Sequence, residues 1–515
     1  MATMSVQMSA SPHADNLFID GAWISPAAPE GRIQVVSPIN GEVFAEVGEA
    51  KEADVDRAVA AAKRAFYEGP WPSMPAADRA AKLREVASAL HRRTAAASRA
   101  WTAQIGVPLW MSEMVTPAAV ELLNINADIA TAYCYEDVRP TTAMNMKVAV
   151  VVREPVGVVA AIAPWNAPLV AMLQKVAPAL AAGCTVIAKP APESPLEAQL
   201  LAEAIEEAEL PRGVFNLLCA NRQASDYLIR HPDVDKVSFT GSTAVGRHIA
   251  EVCAGRLARA TMELGGKSAA IILDDMPPEE VAAVLAPAIT LMCGQVCANL
   301  TRILVPRHRE KDYVEALAAA MAATPVGNPF DQGVMMGPLA MKRQLERVEG
   351  YIANGQAEGA RIATGGTRAS ELGKGFFFKP TVFADVSNEM TIAREEIFGP
   401  VTGVIPYDSE ADAVRLANAS TYGLSGAVFT RDTDRAYAMA RRLRTGNLSQ
   451  NGHGLDMTIP FGGFKQSGYG REGGIEGFEP YLEVKSIFLP GIPSHLGSRE
   501  TSAAQTPCTG TGPRT

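Results

Sequence analysis

The sequence predicts an α/β protein with at least two domains, each built on a sheet covered by helices. From about residue 154 to 265, short apolar runs typical of strands alternate with helical stretches, which is the pattern of a parallel sheet. The alternation resumes after Cys297 and indicates a second α/β domain. With 515 residues, 48% hydrophobic and 20% charged, the chain is long enough for two or three hydrophobic cores.

The first half is expected to contribute strands at 156–163, 184–189, 214–220 and 234–240. Ser194 and Pro195 supply an N-cap and a first-turn proline for a helix that ends before Pro211. The segment 241–246, Gly-Ser-Thr-Ala-Val-Gly, follows the fourth strand and leads into a helix through about residue 254. This order indicates a doubly wound domain.

The second half is expected to form helices at 311–323, 340–354, 410–419 and 433–444, with strands at 401–407 and 424–430. The apolar run 148–152 is expected to be an edge strand outside either core, where pairing with another chain would cover it. Residues 491–515 are mostly Gly, Pro, Ser and Thr, so we expect a disordered tail, and we expect residues 1–15 to be disordered as well.

Composition excludes several classes of protein. A net charge of -9 argues against a nucleic-acid partner and favours a small molecule. Two uncharged stretches, 155–174 and 281–301, are interrupted by prolines and amides, so we expect buried core and no membrane span. Residues 1–15 lack the charge and the apolar run of a secretory signal, and seven scattered cysteines favour a reducing cytoplasm. No Cys-x-x-Cys pair occurs, so no metal is expected.

Two residues have the chemistry of a covalent catalyst. Glu263 opens the run Glu-Leu-Gly-Gly-Lys-Ser, and Cys297 closes the run Gly-Gln-Val-Cys. A free thiol is only a few per cent ionised at neutral pH, and a nearby base can also activate water in a later step. Taken singly, the pattern around Glu263 favours a helix cap or a salt-bridge partner, and the pattern around Cys297 favours a small buried hydrophobe.

Three further segments have a functional and a structural interpretation. Asn166, in Ala-Pro-Trp-Asn-Ala-Pro, can donate to a developing oxyanion or can be a turn residue. Lys189 ends a predicted strand, where open α/β sheets bind nucleotides, but a solvated surface lysine fits as well. The backbone N–H groups of segment 241–246 can hold a pyrophosphate, or the segment can be a plain strand-to-helix turn.

The order of seven motifs resembles the NAD(P)-dependent aldehyde dehydrogenase superfamily. The resemblance runs from about residue 17 to 490, and its motifs are Pro-Trp-Asn, Ala-Lys-Pro, Phe-Thr-Gly-Ser-Thr-x-x-Gly, Glu-Leu-Gly-Gly-Lys, Gly-Gln-x-Cys, Glu-Glu-Ile-Phe-Gly-Pro-Val and Pro-Phe-Gly-Gly-Phe-Lys-x-Ser-Gly. It implies an aldehyde dehydrogenase-like fold. In that fold a Rossmann-type cofactor domain spans 16–135 and 155–262, a catalytic α/β domain spans 263–476, and oligomerisation strands lie at 136–154 and 477–490.

The resemblance also implies roles for individual residues. Cys297 would be the nucleophile and Glu263 the general base, with the Asn166 side chain and the Cys297 backbone N–H as the oxyanion hole. The implied cofactor contacts are Trp165 and Lys189 near the adenine ribose, Gly241, Ser242 and Gly246 at the pyrophosphate, Gln344 and Glu396 on ribose hydroxyls, and Phe398 beside the nicotinamide. The implied reaction is oxidation of an aldehyde to an acid through a thioester that water hydrolyses.

Two departures from the family pattern concern the molecules that bind. Many members carry an acid three residues after the lysine, where it repels a 2'-phosphate; here Pro192 holds that place and Glu193 follows, so we expect NAD, with NADP possible. The expected substrate pocket is thinly aromatic, and its residues are Ala167, Gln174, Val296, Ala298, His453, Leu455 and Phe461. It favours a neutral aliphatic or aromatic aldehyde.

Other interpretations remain open at this point. They are a semialdehyde dehydrogenase, a dehydrogenase that passes its acyl group to coenzyme A, a Cys-His thiol hydrolase, and a non-catalytic relative with a structural role. Retention of Cys297, Glu263 and Asn166 favours the hydrolytic dehydrogenase. The family also implies a homodimer or homotetramer.

Overall fold

The computed structural model describes residues 11–454 and 456–497. Its strands are β1 (Leu17–Ile19), β2 (Ala22–Ile24), β3 (Arg32–Val36), β4 (Val43–Gly48), β5 (Glu136–Pro140), β6 (Val148–Pro155), β7 (Val158–Ile162), β8 (Thr185–Lys189), β9 (Phe215–Leu217), β10 (Lys236–Thr240), β11 (Arg259–Glu263), β12 (Ser268–Ile272), β13 (Leu300–Pro306), β14 (Arg361–Thr364), β15 (Thr381–Ala384), β16 (Val401–Tyr407), β17 (Gly426–Phe429), β18 (Ser449–Gln450), β19 (Gly468–Tyr469) and β20 (Leu482–Leu489).

The α-helices precede, connect and cover these strands. They are α1 (Glu52–Tyr67), α2 (Ala76–His91), α3 (Thr94–Ile105), α4 (Leu109–Ala132), α5 (Pro168–Ala182), α6 (Leu196–Glu207), α7 (Arg222–Arg230), α8 (Thr243–Arg256), α9 (Pro278–Thr290), α10 (Glu310–Ala322), α11 (Lys342–Ala357), α12 (Thr391–Arg394), α13 (Glu410–Asn418), α14 (Thr433–Ala440), α15 (Gly474–Phe478) and α16 (Ser494–Gly497). The α/β class expected from the sequence is confirmed.

The first large sheet is doubly wound around β7. Its strand order is β19-β11-β10-β7-β8-β9-β1-β2, and the five strands from β11 to β9 run parallel. The chain leaves β7 for β8 and β9 on one side, and later fills the other side with β10 and β11. The strand order therefore reverses between β7 and β10, and we call this place the switch point of the sheet. Open α/β sheets bind ligands there, at the carboxyl ends of the strands.

Both faces of this sheet are buried, as a parallel sheet requires. Along β7, Val159 and Ala161 face a core shared with α2, α4, α5 and α6. Val158, Ala160 and Ile162 face the opposite core, shared with α1, α7 and α8. The uncharged stretch 155–174 thus supplies a strand and the start of a helix inside a protein core.

The second large sheet has the order β14-β15-β16-β13-β12-β17-β18 and is parallel except for β14. Alternate residues of β12 again face two different cores. Among the described residues, no helix has the length and apolarity needed to cross a membrane.

Several predicted boundaries shift. The helix expected at 433–444 ends at Ala440, because the chain then turns so that the Gly446 N–H reaches the Gly423 carbonyl at 3.1 Å. The expected catalytic segment 263–476 does not all lie with the second sheet, since β19 pairs antiparallel with β11 of the first. After Pro460 the chain therefore lies against the first sheet again, at the carboxyl end of β11.

A small third sheet corrects the expectation for residues 148–152. These residues lie in β6, which is the middle strand of the antiparallel order β20-β6-β5 and so is not an edge. The edges are β20 and β5. Segments 136–154 and 477–490 therefore meet in one sheet outside both large ones.

The expected disordered ends fall mostly outside the described residues, at 1–10 and 498–515. Where the ends are described, that expectation is corrected: residues 11–15 form a turn before β1, and Ser494–Gly497 forms a helical turn.

Candidate active site

Four strands of the first sheet end at one edge and bring four of the predicted site segments together. β7 leads into the loop with Trp165 and Asn166, β8 ends at Lys189, β10 leads into Gly241, and β11 ends at Glu263. These strands are parallel, so their carboxyl ends share an edge. The sequence order alone does not bring these residues together; the strand order does.

The Cys297 loop connects α9 to β13 and contains unusual backbone. Met292 and Cys293 have φ of 50° and 57°, in the left-handed region that residues other than glycine rarely adopt. The buried Gln295 side chain holds this turn: its Nε2 donates to the Met292 carbonyl at 2.9 Å, and its Oε1 accepts the Ala340 N–H at 2.9 Å. The loop is therefore fixed from within and from the segment before α11.

Asn166 is attached to the Cys297 loop by its side chain. Its Nδ2 donates to the Gln295 carbonyl at 2.8 Å in a buried hydrogen bond. The bond joins the loop after β7 to the loop before β13, which belong to different sheets. A donor amide and a thiol are thus held in neighbouring loops, as an oxyanion hole requires.

The Cys297 thiol is protonated at neutral pH in this arrangement. Burial raises its pKa to about 12, with further raising by the charges of Glu396 and Glu263. The residue as a whole is half-buried, although burial of its thiol group is the main cause of the raised pKa. A thiol in this state needs a base before it can act as a nucleophile.

Glu263 is a buried carboxyl group without a hydrogen-bond partner among the described residues. It is 2% exposed, and neither carboxylate oxygen is bonded. Burial holds its pKa well above the ordinary value, the charge of Glu472 raises it further, and Lys175 and Arg471 oppose the rise. Lys175 forms an ion pair with Glu472 and donates to Thr240 at 2.6 Å.

Gly462 gives the Glu263 carboxylate its space. A Cβ at position 462 would lie 2.5 Å from Glu263 Oε1, so any larger residue would displace the carboxylate. The preceding residue, Phe461, exchanges backbone hydrogen bonds of 2.7 and 2.8 Å with Glu472. The Pro-Phe-Gly-Gly motif thus forms the surface against which the Glu263 carboxyl group lies.

The turn after β10 forms a helix N-terminus at the switch point. Ser242 is the N-cap of α8, and its side chain accepts the Val245 N–H at 3.4 Å. Gly241 donates its N–H to the Glu263 carbonyl at 3.0 Å, and Gly246 packs so closely on Leu264 that a Cβ would lie 2.4 Å from it. Unpaired first-turn N–H groups and the helix dipole favour an anion at such a place.

Glu396 lies beside the Gly-Gly of the Glu263 motif. It accepts the Gly266 N–H at 3.2 Å, and burial raises its pKa to about 7 against the lowering effects of that bond, Arg347 and Lys267. A Cβ on Gly265 would lie 2.3 Å from Glu396 Oε2. The two motifs meet because each glycine leaves room for the carboxylate.

Gln344 has a different environment from the one expected. Its Nε2 donates to the Ile397 carbonyl at 3.1 Å and to the Phe398 carbonyl at 2.6 Å, which uses both amide hydrogens. Gln344 therefore holds the backbone of the Glu396 segment, and only its oxygen is left for a ribose hydroxyl. The Phe398 ring meets the Trp165 ring edge-on, with centroids 5.3 Å apart.

Glu193, which follows Lys189 closely in sequence, pairs with Arg343, a residue that the sequence analysis missed. Burial lowers the pKa of Lys189 to about 8, and the charge of Glu193 opposes this effect. The Glu193 carboxylate accepts a hydrogen bond from Arg343, at the start of α11. No motif marks Arg343, whose only sequence signal is its position beside Gln344.

The expected pocket residues are only partly brought together. Ala167 and Val296 border one apolar cluster with Met292, whereas Ala298 is fully buried and contributes no surface. The His453 Nε2 has no partner among the described residues, and burial lowers the pKa of this ring. Leu455 lies outside the described residues. Gln174 precedes Lys175 on α5 and is partly buried.

Comparisons with known proteins agree with this architecture. The model of the aldehyde dehydrogenase family matches residues 23–487. A geranial dehydrogenase of Castellaniella defragrans is 43% identical over 92% of this chain and 99% of its own, and a betaine aldehyde dehydrogenase of Rhizobium leguminosarum is 38% identical over 94% and 98%.

Solved structures give the same result. The NAD+ complex of an aldehyde dehydrogenase from Mycobacterium tuberculosis has a TM-score of 0.90 at 44% identity, covering 92% of this chain and 98% of that one. A mutant of aldehyde dehydrogenase C from Pseudomonas syringae, in complex with NAD+ and octanal, has a TM-score of 0.89 at 38% identity, covering 95% and 99%.

Proposed function

This chain belongs to the aldehyde dehydrogenase family, and from that premise we propose which of its residues perform each step of the reaction. The protein is an enzyme that oxidises an aldehyde to a carboxylic acid with NAD. The roles of its residues, its substrate class, its choice against NADP and its assembly are the proposed parts.

The residues at the switch point fit NAD. The N-terminus of α8 suits a pyrophosphate, and the buried Glu396, beside Gly265, can accept hydrogen bonds from ribose hydroxyls. Lys189, at the end of β8, would lie at the adenosine end, and Phe398 at the nicotinamide end. When bound, NAD supplies the hydride acceptor; the chain supplies orientation.

In the first half-reaction the Cys297 sulfur bonds to the aldehyde carbon. The thiol proton passes to Glu263, whose pKa burial holds well above the ordinary value of a carboxyl group. The carbonyl oxygen becomes an oxyanion that accepts hydrogen bonds from Asn166 Nδ2 and the Cys297 backbone N–H. Loss of hydride from the carbon leaves a thioester on Cys297.

In the second half-reaction Glu263, after releasing its first proton to solvent, removes a proton from water. The resulting hydroxide attacks the thioester carbon, and the carbon–sulfur bond breaks to release the acid and the thiolate. The observation that carries this proposal is the Glu263 carboxyl group, buried at the end of β11 with no hydrogen-bond partner in the described part of the chain. Such a group is costly and is found where chemistry needs it.

We propose a neutral, apolar aldehyde as the substrate. Ala167 and Val296 pack against an apolar cluster that contains Trp101, Met111 and Met292. A charged group would lose hydration against such apolar side chains, whereas an apolar substrate would not. The names of two relatives, which concern geranial and bound octanal, also support this class.

An aldehyde series tests the substrate proposal. We expect kcat/KM for octanal and geranial to exceed that for betaine aldehyde and succinic semialdehyde by about tenfold or more, because each charged group must be desolvated. NADH formation by the purified enzyme measures it. A charged aldehyde as the best substrate would contradict the assignment and favour the semialdehyde alternative.

We propose that Glu193 gives preference for NAD over NADP and that Arg343 holds its carboxylate in place. A 2'-phosphate near Glu193 would be repelled. Glu193→Gln is expected to remove the repulsion, leave Arg343 free for the phosphate, and raise kcat/KM with NADP by about tenfold.

Glu349→Gln, which changes the Glu349–Arg368 pair on the exposed side of α11, is the matched control and should leave the ratio of NADP to NAD activity unchanged. A wild-type enzyme that prefers NADP, or an unchanged ratio in Glu193→Gln, would refute the role of Glu193.

We also propose that the small sheet joins subunits in a homodimer or homotetramer. Its edge strand β20 carries the exposed apolar residues Val484, Ile487 and Phe488. An unpaired strand edge with apolar side chains invites pairing with another chain. Sedimentation equilibrium distinguishes two subunits from four, and a monomer would exclude this role.

A cytoplasmic location is the last part of the proposal. A thiol nucleophile such as Cys297 persists best in a reducing compartment. Fractionation of cells that produce the protein tests this; recovery outside the cytoplasm would oppose it.

A further inference from the structure

Trp101 has no step of the reaction assigned to it above, but its side chain is bonded to the loop that contains Asn166. It is on α3, is 3% exposed, and its indole Nε1 donates to the Asn166 carbonyl at 2.8 Å. It belongs to the same apolar cluster as Met292, and Ala167 and Val296 pack against this cluster. The bond therefore crosses from the helical layer to the loop after β7.

The Asn166 loop has few backbone donors of its own. Pro164 and Pro168 flank it, and proline has no N–H. The Asn166 carbonyl is buried, where an acceptor without a partner would cost free energy. A side chain from elsewhere must satisfy it, and Trp101 does so.

Asn166 is thus held at both ends. Trp101 fixes its backbone carbonyl, and its Nδ2 donates to the Gln295 carbonyl. An amide nitrogen carries two hydrogens, so this second bond leaves one for the substrate oxygen. The direction of that remaining N–H depends on both attachments.

We propose that Trp101 is a positioning residue that preorganises the Asn166 amide for the oxyanion. The proposal rests on the assignment of Asn166 to the oxyanion hole. Donors stabilise a transition state most when they are oriented before the reaction begins, and a 1 Å displacement can cost about 100-fold in rate. The hydrogen bond, and not the packing of the ring alone, positions the Asn166 amide.

The test compares two tryptophans with the same kind of bond. Trp101→Phe removes the N–H and keeps an aromatic ring. Trp110→Phe removes an equivalent bond, from Trp110 Nε1 to the Val334 carbonyl at 2.9 Å, on the half-exposed first turn of α4. The measured quantity is the single-turnover rate of NADH formation with excess enzyme and octanal.

We expect Trp101→Phe to lower this rate about tenfold, with the KM for octanal and the Kd for NAD within about twofold of wild type. Trp110→Phe should match the wild type. Equal rates in the two variants, or an effect of Trp101→Phe confined to KM, would overturn the proposal.

An Asn166→Ala background separates positioning from packing. If Trp101 acts through the Asn166 amide, Trp101→Phe has no further effect once the amide is gone. A further tenfold loss would show that packing alone is involved and would overturn the proposal.

If Trp101→Phe does not fold, 3-benzothienylalanine at position 101 keeps the ring shape, replaces N–H by sulfur and should give the same loss. Full activity in Asn166→Ala would refute the oxyanion role itself, whereas loss in Asn166→Ala with no loss in Trp101→Phe would refute only the role of Trp101.

Discussion

Cys297→Ala is expected to abolish aldehyde oxidation, with a steady-state rate of NADH formation lower by on the order of 10⁴-fold or more. The methyl group cannot form the bond to the aldehyde carbon, and the Asn166 amide then has no oxyanion to stabilise. NAD binding should persist, because the switch-point residues do not depend on the thiol. The rate is measured with octanal, and the Kd for NAD by fluorescence quenching.

Cys293→Ala provides the matched control. Cys293 lies in the same loop, is 1% exposed and packs in the core of the second sheet, where burial raises the pKa of its thiol. Its loss should lower stability slightly and leave the rate within about twofold of wild type, since Ala also fits a small buried site. If Cys297→Ala stayed active while Cys293→Ala did not, the nucleophile would be the other cysteine.

Glu263→Gln is expected to give one slow turnover and then stop. The amide has nearly the shape of the carboxyl group but cannot take a proton, so the thioester forms slowly and is not hydrolysed. The steady-state rate should fall by about 10²–10⁴-fold. A rapid-mixing trace should show about one equivalent of NADH per Cys297, and the intact mass should show the acyl group.

A double variant is the control for this result. The acyl mass should be absent from the Glu263→Gln, Cys297→Ala double variant, because no sulfur is present to carry it. Hydrolysis at the wild-type rate in Glu263→Gln would contradict the assignment of the base. In that case the water would have to be activated by another group.

The pH dependence follows from the raised pKa of Glu263. Hydrolysis needs the carboxylate form of Glu263, so the steady-state rate should rise as the pH passes the pKa of this group, which lies well above the ordinary value for Glu. Below that pKa the activity should be lost. This limb of the profile should be missing in Glu263→Gln. The charge of Glu472 raises that pKa, so Glu472→Gln should move the limb to lower pH.

Local patterns were sufficient for four strands of the first sheet, β7 to β10. The runs at 184–189 and 234–240 contain β8 and β10, because buried parallel strands are rich in apolar residues such as Val186, Ile187, Val237 and Phe239. They were insufficient for residues 148–152, whose position between β5 and β20 depends on a segment more than 300 residues away in sequence. Pairing of that kind leaves no trace in the strand itself.

The same distinction applies to the candidate site. The sequence by itself determined which side chains have the chemistry, since Cys297, Glu263 and Asn166 stand in motifs that resemble one family. Only the tertiary structure decided their state: the Lys175–Glu472 pair beside Glu263 joins residues 297 apart, and Trp101 reaches Asn166 from another layer. Reactivity depends on burial, charge and donor direction, and these arise from contacts between distant segments, so they exist only once the chain has folded.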